Sequence, residues 1–403
     1  MHKRPNDASA DGSLEGFGTG ARKPLLRSDP AVFAWSSGQA FQSSPHPHSK
    51  CLYEFQGTPF DVGRQHGQAL RSQIRTELVP YLNSAANRLR VHVSEAARYV
   101  VSRYEALFRE RMPNVLEEIQ GIAEGARLSY EQAFVLALHD MMPLGGCTAV
   151  ACSGPTSLDG PLIAQTKDVS ALNKRFKVMR IRYSSGRSMV LLNYPGWIAN
   201  TGITSDGVAF AGFSLNADEP QKPSAPGSFL KRLVLEKRAT AEVLDGITGL
   251  SFPNGGFLVG DCSGHMVCIE ALGGRVAIRD VSGKAFGHCN GVLTSELKPL
   301  ETESDQHLSS VMRQTRIDKV FAEQTGRISI SSLREVFRDH LGFPLSICRH
   351  PGALDKLYTG AAFVANLTEL EIDVAIGYPC KAPFVRYRLD AEAELANTAC
   401  AAT

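Results

Sequence analysis

Apolar positions in the first third of the chain follow the period of an α-helix. A run from Leu70 to Leu78 places an apolar residue at every fourth position, and a second stripe covers residues 119–126. Ser129 and Gln132 have the spacing of a capping box, in which two side chains satisfy the free N–H groups of a helix start. The pattern predicts that the first third of the folded chain is mostly helical.

From residue 147 the pattern changes to short apolar or alternating runs, which are typical of β-strands. Turn signals such as Asp159-Gly160 separate these runs. The predicted strands are 147–153, 161–165, 176–183, 188–193, 208–213, 256–259, 266–269, 361–365, 372–376 and 384–389. Two later helices are predicted at 310–322 and from Ser332, because Ser332 and Glu335 have the spacing of another capping box.

Helices that flank two stacked antiparallel sheets are the simplest packing of this order of elements, so the sequence predicts an α+β fold. Residues 1–50 are rich in Gly, Ser, Pro and Asp and show no apolar period, which predicts a flexible tail. The rest of the 403 residues is interpreted as one large sheet domain with a helical segment in front of it.

Composition indicates an ordinary soluble globular protein. Apolar residues make up 43% of the chain and charged residues 21%, and the formal net charge is only +2, so no nucleic-acid partner is expected. The start of the chain carries no apolar signal region, and the longest apolar run, Ala133–Leu138, is far too short to span a bilayer. We therefore expect a cytoplasmic protein that does not associate with membranes.

Nine scattered cysteines, an odd number, favour a reducing compartment or a reactive thiol over a disulfide framework. Two groups have spacings that a metal site could use. The first is Cys262, His265 and Cys268, and the second is His46, His48 and Cys51. In the first group, strand alternation sends Met266 and Cys268 to one face, as expected of core residues. The second group lies at the end of the predicted tail. No metal is predicted at either place.

One cysteine, Cys147, opens a predicted strand directly after Gly145 and Gly146. Glycine permits the close approach and strained backbone that a self-attacked peptide bond requires. Taken alone, such a cysteine is more often a buried core residue. A catalytic thiol also needs a base, which is a histidine, or the α-amine when the nucleophile is itself N-terminal.

Six segments stand in a fixed order between about residues 55 and 390. They are Gly57-Thr-Pro-Phe-Asp-Val-Gly-Arg-Gln-His-Gly67, Gly146-Cys-Thr148, Gln165-Thr-Lys-Asp168, Gly202-Ile-Thr-Ser-Asp-Gly207 with Leu215-Asn-Ala217, Gly287-His-Cys-Asn290 and Ile376-Gly-Tyr-Pro379. This ordered set resembles the isopenicillin-N, or acyl-CoA:6-aminopenicillanic acid, acyltransferase family of cysteine N-terminal-nucleophile (Ntn) hydrolases. The resemblance implies a four-layer αββα sandwich of antiparallel sheets with an N-terminal helical segment.

The resemblance implies that the chain cuts itself between Gly146 and Cys147. The Cys147 thiol would attack the Gly146 carbonyl, and hydrolysis would free the Cys147 α-amine, which becomes the general base when the same thiol attacks substrate. Residues 51–146 would then form a helical α subunit, and residues 147–403 would form the catalytic β subunit of a heterodimer.

Three further residues receive catalytic roles from the resemblance. Asp168 would accept hydrogen bonds from the Cys147 amine and orient it. Asn290 would donate its side-chain amide to the oxyanion of the tetrahedral intermediate, and Asn216 would be a second polar group beside it. The structural alternatives are a turn cap for Asp168 and an Asx turn for Asn216.

The substrate-binding residues implied are Thr148, Lys167, Arg316 and Arg349. Arg316, with Arg313, resembles an arginine pair of the related choloylglycine hydrolases, and the planar fork of Arg349 suits a substrate carboxylate. Thr166 and Lys167 stand where the family has an asparagine and an aromatic residue. The wall beside the nucleophile is therefore more polar, and Lys167 could meet an anionic acyl chain or a nucleotide phosphate.

The implied reaction is cleavage or transfer of an amide-linked acyl group through a thioester on Cys147. Its partners would be a small-molecule acyl amide or an acyl-CoA co-substrate, without a cofactor. Hydrolysis and transfer to an amine both stay open. Two alternatives also stay open: a non-catalytic or unprocessed small-molecule binding protein of this fold, and a hydrolase in which Cys147 acts within the uncut chain with His288 or His139 as base.

Overall fold

The computed structural model describes residues 52–138, 145–170, 176–217, 224–302, 307–324, 326–352 and 357–390. The predicted tail 1–50 lies outside these ranges, and so do the candidate ligands His46, His48 and Cys51 and the candidate base His139. All described residues belong to one unit that covers 47–403.

Helices fill the N-terminal third, as the apolar period predicts. They are α1 (Pro59–Ala69), α2 (Arg71–Leu89), α3 (Val93–Arg111), α4 (Pro113–Ala126) and α5 (Tyr130–Ala137). The capping box of Ser129 and Gln132 is confirmed at the start of α5. One strand that was not predicted, β1 (Leu52–Gly57), precedes the helices.

Helices α1 and α4 pack with their backbones in direct contact because both carry glycines at the facing positions. A Cβ at Gly63 would lie 1.9 Å from Glu118 O, and a Cβ at Gly121 would lie 2.1 Å from Phe60 O. Any larger residue would push the two helices apart. Gly63 and Gly67, which are part of the segment that contributes to the family resemblance, thus have a packing reason that is separate from catalysis.

Two sheets form the centre of the molecule. The larger has the order β1-β4-β5-β6-β7-β8-β9-β10, and the smaller has the order β11-β2-β3-β12-β13-β14. In the larger sheet the strands after β1 are β4 (Lys177–Tyr183), β5 (Ser188–Asn193), β6 (Thr201–Thr204), β7 (Ala209–Phe213), β8 (Gly255–Gly260), β9 (Met266–Leu272) and β10 (Arg275–Asp280). In the smaller sheet they are β2 (Cys147–Cys152), β3 (Leu162–Val169), β11 (Ala285–His288), β12 (Tyr358–Asn366), β13 (Glu371–Ile376) and β14 (Val385–Arg388). All pairings are antiparallel except that of β1 with β4.

Four layers result from the way these elements bury their apolar faces. Strands β2 and β3 of the smaller sheet face β7 and β8 of the larger one. Helices α1–α5, with α6 (Gly227–Leu235) and α7 (Thr240–Ile247), cover the other face of the larger sheet. Helices α8 (His307–Glu323) and α9 (Ile330–Val336) cover the smaller sheet. The predicted α+β sandwich with αββα layers is confirmed.

The helix predicted from Ser332 begins earlier than its pattern indicated. Its N-cap is Ser329, whose Oγ accepts from Ser332 N at 3.1 Å while Ser332 Oγ accepts from Ser329 N at 2.8 Å. The capping box of Ser332 and Glu335 is therefore wrong, because a serine can serve in either position of such a box. Among the described residues, no helix combines the length and apolar character needed to cross a membrane.

Candidate active site

Cys147 is the first residue of β2 and lies at the floor of the space between the two sheets. Its register partner across β3 is Lys167, so the two side chains share one face. The thiol is 3.8 Å from Gly212 O, at the end of β7 in the other sheet. Burial raises the pKa of the Cys147 thiol, although the charges of Lys167 and Arg313 act in the opposite direction. A base must therefore take the thiol proton when the sulfur attacks.

The Asn290 side-chain amide contacts both the nitrogen and the sulfur of Cys147. Asn290 Oδ1 accepts from Cys147 N at 2.8 Å, and Asn290 Nδ2 is 3.2 Å from Cys147 Sγ. Arg313 Nη2, which can only donate, lies 3.2 Å from the same Oδ1 and so fixes the orientation of the amide. A donor next to the attacking sulfur is where an oxyanion needs it.

The backbone of Asn290 is left-handed, with φ 72°, which asparagine tolerates better than most residues. His288, at the end of β11, accepts from Asn290 N at 3.3 Å through Nδ1 and bonds Glu270 Oε1 at 2.9 Å through Nε2. Its ring stacks on Phe213 with 3.6 Å between ring centroids. These contacts hold the unusual backbone of Asn290, and they assign the proton of His288 to Nε2.

Burial alone would raise the pKa of Glu270, but hydrogen bonds from His288 and Thr294 and from Leu293 N–H lower it to about 2. Burial lowers the pKa of His288, although the bond to Glu270 opposes this effect. Glu270 is thus a buried anion that accepts from His288 at neutral pH. Both ring nitrogens of His288 have partners, and neither partner is Cys147.

The peptide bond before Cys147 lies against Asp168. Gly146 O accepts from Asp168 N at 2.9 Å, which polarises the carbonyl that a self-cleaving thiol would attack. A Cβ at Gly146 would lie 2.5 Å from Arg349 Nη1, and a Cβ at Gly145 would lie 1.7 Å from Asp168 O. The two glycines are therefore required for this close approach.

Asp168 is buried, and two neighbouring side chains contact its carboxylate. Its Oδ1 accepts from Thr359 Oγ1 at 2.8 Å, and its Oδ2 lies 3.4 Å from Arg349 Nη1. Both side chains of the ion pair are fully buried, so the Arg349 guanidinium holds the Asp168 carboxyl group in place beside the Gly146–Cys147 bond.

A cavity of about 740 Å³ opens above Cys147, between the end of β7, helix α6 and helices α2 and α3. Aromatic rings form much of its wall, and they are Tyr81, Tyr104, Phe176, Tyr194, Trp197, Phe213, Phe252 and Phe257. Four cationic side chains also line it, namely Arg88, Arg103, Lys167 and Lys231. Glu77 and Asp168 are the acids among the lining residues, so the cavity has an excess of positive charge.

Lys167 contributes a buried amine to this wall. Burial, and then the charge of Lys231, lowers the pKa of Lys167 to about 7. Its ammonium form is therefore only partly populated at neutral pH, and an anionic ligand in the cavity would favour that form.

No protein-family model matches the chain. Over 309 residues it is 23% identical to the acyl-coenzyme A:6-aminopenicillanic-acid-acyltransferase 40 kDa form of Emericella nidulans, and the match covers 73% of this chain and 83% of that protein. The chain is therefore similar in sequence to that acyltransferase over most of its length. The resemblance carried by the six ordered segments is confirmed.

Two solved structures of hydrolases show a more distant likeness to this chain. A mutant of the conjugated bile acid hydrolase from Clostridium perfringens is 8% identical with a TM-score of 0.37, and covers 62% of this chain and 100% of its own. Penicillin V acylase from Agrobacterium tumefaciens is 11% identical with a TM-score of 0.40, and covers 57% of this chain and 82% of its own. Both TM-scores are low, so the fold is assigned from this chain's own sheets and helices.

The structure brings together three of the four predicted catalytic residues, Cys147, Asp168 and Asn290. The fourth, Asn216, is exposed and lines the cavity, four residues after Gly212. Its predicted role beside Asn290 stays a prediction. Ser214 occupies the place next to Asn290 instead, since its Oγ lies 3.3 Å from Asn290 Nδ2 and 3.4 Å from Gly145 O.

The four predicted substrate-binding residues occupy different environments. Lys167 lines the cavity, whereas Thr148 is buried behind Cys147 with its Oγ1 3.2 Å from Arg313 Nη1. Arg316 Nε donates to Asp339 Oδ2 at 2.8 Å, and Arg349 pairs with Asp168. Thr148, Arg316 and Arg349 are not among the residues that line the described cavity. Their contacts favour positioning roles over direct contact with substrate.

Arg313 differs most from what its helical position suggested. A helix arginine is usually solvated, yet Arg313 is 1% exposed and donates to the main-chain oxygens of Cys147 and Cys289. The sequence indicated a functional role for Arg313 only through the resemblance to the arginine pair of choloylglycine hydrolases. Glu270, Lys231 and Ser214 were missed, because single residues of these types carry no spacing signal.

Replacing His288 by Gln tests whether this histidine is a base or a positioning residue. Gln keeps a donor that can reach Glu270, so we expect about a tenfold or smaller loss of turnover and an unchanged pH profile. Measuring kcat/KM across pH checks this expectation. A base at His288 would instead give a loss of at least about 100-fold and remove one limb of the profile.

Proposed function

We propose that this chain is a self-processing enzyme that cleaves or transfers amide-linked acyl groups through a thioester on Cys147. One observation carries the proposal. The thiol lies beside an oriented amide donor, Asn290, directly after a peptide bond whose carbonyl is already hydrogen-bonded, at the floor of an aromatic and cationic cavity. The relationship to an acyl-coenzyme A-dependent acyltransferase supports the same chemistry.

In the processing step, Cys147 Sγ attacks the carbonyl carbon of Gly146. The carbonyl oxygen gains negative charge and is stabilised by Asp168 N–H, to which it is already bonded at 2.9 Å. The C–N bond then breaks, and the proton that the thiol has given up passes to the Cys147 nitrogen. Water cleaves the resulting thioester, which leaves a carboxylate on Gly146 and restores the thiol.

In the turnover step, the new α-amine of Cys147 accepts the thiol proton. An ordinary α-amine has a pKa of about 8, and burial beside the cations Lys167 and Arg313 would lower it toward neutrality. The sulfur attacks the acyl carbonyl while Asn290 Nδ2 donates to the oxyanion. The departing amine takes the proton, and water or a second amine then receives the acyl group from the sulfur.

The two fragments would stay together after the cut. Strand β1 belongs to the N-terminal fragment but pairs in parallel with β4 of the other fragment, from Leu52–Val178 to Gly57–Tyr183. Helices α1–α5 also bury one face of the core against the larger sheet. Because α2 and α3 supply part of the cavity wall, the heterodimer and not the β subunit alone would form the substrate site.

The lining of the cavity favours an acyl amide that combines an aromatic or apolar part with an anionic group. Rings such as Trp197 and Phe257 offer apolar and edge contacts. Lys167 and Lys231 offer charge-assisted hydrogen bonds to a carboxylate or a phosphate. N-acyl amino acids combine an apolar acyl chain with a carboxylate. An acyl-CoA combines an acyl chain with phosphates.

A matched pair of substrates tests this function together with the role of Lys167. N-phenylacetylglycine carries a carboxylate, and N-phenylacetylglycinamide is its neutral counterpart. We expect kcat/KM to be about 10- to 100-fold higher for the anionic compound near pH 6, since a hydrogen bond to a charged group contributes about 1.5–3 kcal/mol. Because the pKa of Lys167 is about 7, the preference should fade as the pH rises through that value and the ammonium deprotonates.

Lys167→Met should remove the part of the preference that depends on pH and leave at most the part due to Lys231, whereas Lys167→Arg should keep the preference and lose its pH dependence, because arginine stays charged. Equal turnover of both compounds by the wild-type protein would contradict the anionic substrate class. Tight binding of either compound without any acyl release would contradict the enzymatic proposal and favour the binding-protein alternative.

A further inference from the structure

A second cluster of reactive side chains lies outside the cavity, in the part of the chain after α9. It consists of His340, Cys348, His350 and Cys380, whose ligand-type atoms all lie within 4.8 Å of one another. The first three are on the connection between α9 and β12, and Cys380 is on the connection between β13 and β14. Cys348 is buried, His350 and Cys380 are half-buried, and His340 is exposed.

The distances within this cluster match the edges of a tetrahedral zinc site. His340 Nε2 and His350 Nε2 are 3.2 Å apart, and His350 Nε2 is 3.4 Å from Cys380 Sγ and 3.7 Å from Cys348 Sγ. With Zn–N of about 2.05 Å and Zn–S of about 2.3 Å, a tetrahedron has N–N edges of about 3.3 Å and N–S edges of about 3.5 Å. These three distances thus already suit ligands around one ion, and the remaining pairs of ligand atoms lie within 4.8 Å of each other.

The polypeptide on each side of the cluster is fixed. Tyr378 stacks on the His350 ring with 4.2 Å between centroids and an interplanar angle of 9°. Cys348 N donates to Asp339 O at 2.9 Å, and the Asp339 carboxylate is paired with Arg316. Arg338 Nε donates to Pro379 O at 3.0 Å, which joins the end of α9 to the turn that carries Cys380. Ligands held this way would lose little entropy on binding a metal.

We propose that His340, Cys348, His350 and Cys380 bind one structural zinc ion. Two thiols and two imidazoles are a donor set that zinc prefers in tetrahedral geometry, whereas magnesium and calcium prefer oxygen ligands. On binding, the two thiols each release one proton to solvent, so the two thiolates neutralise the charge of the ion. Four protein ligands leave no open position, so the site is structural and not catalytic.

The position of Arg349 gives this site a consequence for the active site. Arg349 stands between two of the ligands in sequence, and its guanidinium contacts Asp168. Its main chain is paired with Thr359, as Thr359 N donates to Arg349 O at 3.0 Å and Thr359 Oγ1 accepts from Arg349 N at 2.9 Å. A zinc ion would therefore anchor the loop that places Arg349 beside the Asp168 carboxylate and that pairs with Thr359 at the start of β12.

Metal analysis of the purified full-length protein tests the proposal. Grown with added zinc and purified without chelators, the wild-type protein should hold about one zinc per chain by elemental mass spectrometry. His340→Ala combined with Cys380→Ser removes two ligands that lie outside the core, and should lower the zinc content at least tenfold. Cys262→Ser, at an exposed cysteine outside the cluster, is the matched control and should keep the metal.

Two further readouts separate a specific site from loosely bound metal. Replacing zinc by Co²⁺ should give thiolate-to-cobalt charge-transfer absorption in the wild-type and control proteins but not in the double variant. Chelation should lower the Tm of the wild-type protein by about 5 °C or more and leave that of the double variant unchanged. A zinc-free wild-type protein in which Cys348 and Cys380 form a disulfide, or equal zinc in all three proteins, would overturn the proposal.

Discussion

The Cys147→Ala variant remains a folded, uncut chain and loses acyl turnover by at least about 10⁴-fold. The thiol is the nucleophile of both proposed reactions, so one substitution removes self-cleavage and catalysis together. The side chain is only 4% exposed, and removing one sulfur atom leaves a small cavity next to a site that already opens to a larger one. Intact mass and steady-state kinetics with an N-acyl amide measure the two losses.

Cys268→Ala is the matched control, because Cys268 is also 4% exposed in a strand of the inter-sheet core. This control should cut itself and turn over substrate at close to the wild-type rate. A Cys147→Ala protein that still separates into two fragments at the same bond would contradict the assignment of the thiol as the processing nucleophile.

The second large effect is expected at Asn290. Removing its amide takes away the donor that lies 3.2 Å from Cys147 Sγ, and losing one oxyanion donor typically lowers kcat by about 10²–10³-fold. Asn290→Gly is the sharpest variant, because glycine adopts the left-handed backbone of this residue, φ 72°, without strain. The expected loss is then due to the missing amide and not to a distorted loop. Steady-state kcat of the variant measures it.

Arg127→Gly makes the same replacement at another left-handed residue, φ 57°, at the exposed end of α4, and should leave the rate unchanged. Circular dichroism of both variants checks that the fold is kept. A wild-type rate in Asn290→Gly would remove Asn290 from the catalytic machinery.

The apolar pattern was sufficient to predict the layers of this fold, but it did not predict every strand and helix within them. Strand β3 is buried along its whole length, but its apolar run ends at Ala164, so the predicted strand 161–165 stopped short of the buried polar residues that follow. Met266 and Cys268 both belong to the inter-sheet core, so the alternation predicted for them is confirmed. The short strands β6, β10 and β11 and helices α6 and α7 were not predicted from the pattern, because runs of this length carry a weak period.

The candidate catalytic residues were predicted from the resemblance to the acyltransferase family, and the strand order explains why the structure places them close together. Strands β11, β2 and β3 are neighbours, so the residues that follow or begin them meet at one place, as Asn290, Cys147 and Asp168 do. Contacts between segments that are far apart in the chain could not be predicted from the sequence pattern. Arg313 reaches Cys147 from 166 residues away, and Cys380 reaches His350 from 30 residues away. In the sequence, metal-like spacing was found only in local groups such as residues 262–268. The cluster of His340, Cys348, His350 and Cys380 forms only when two distant loops come together in the fold.

Self-cleavage at Gly146–Cys147 is tested most directly by intact mass spectrometry of the purified wild-type protein under denaturing conditions. The 43.6 kDa chain should yield two fragments of about 16 and 28 kDa, scaled by residue count, whose sum exceeds the precursor by one water. The larger fragment should begin at Cys147. A protein that remains at 43.6 kDa while it turns over an acyl amide would contradict the N-terminal-nucleophile mechanism.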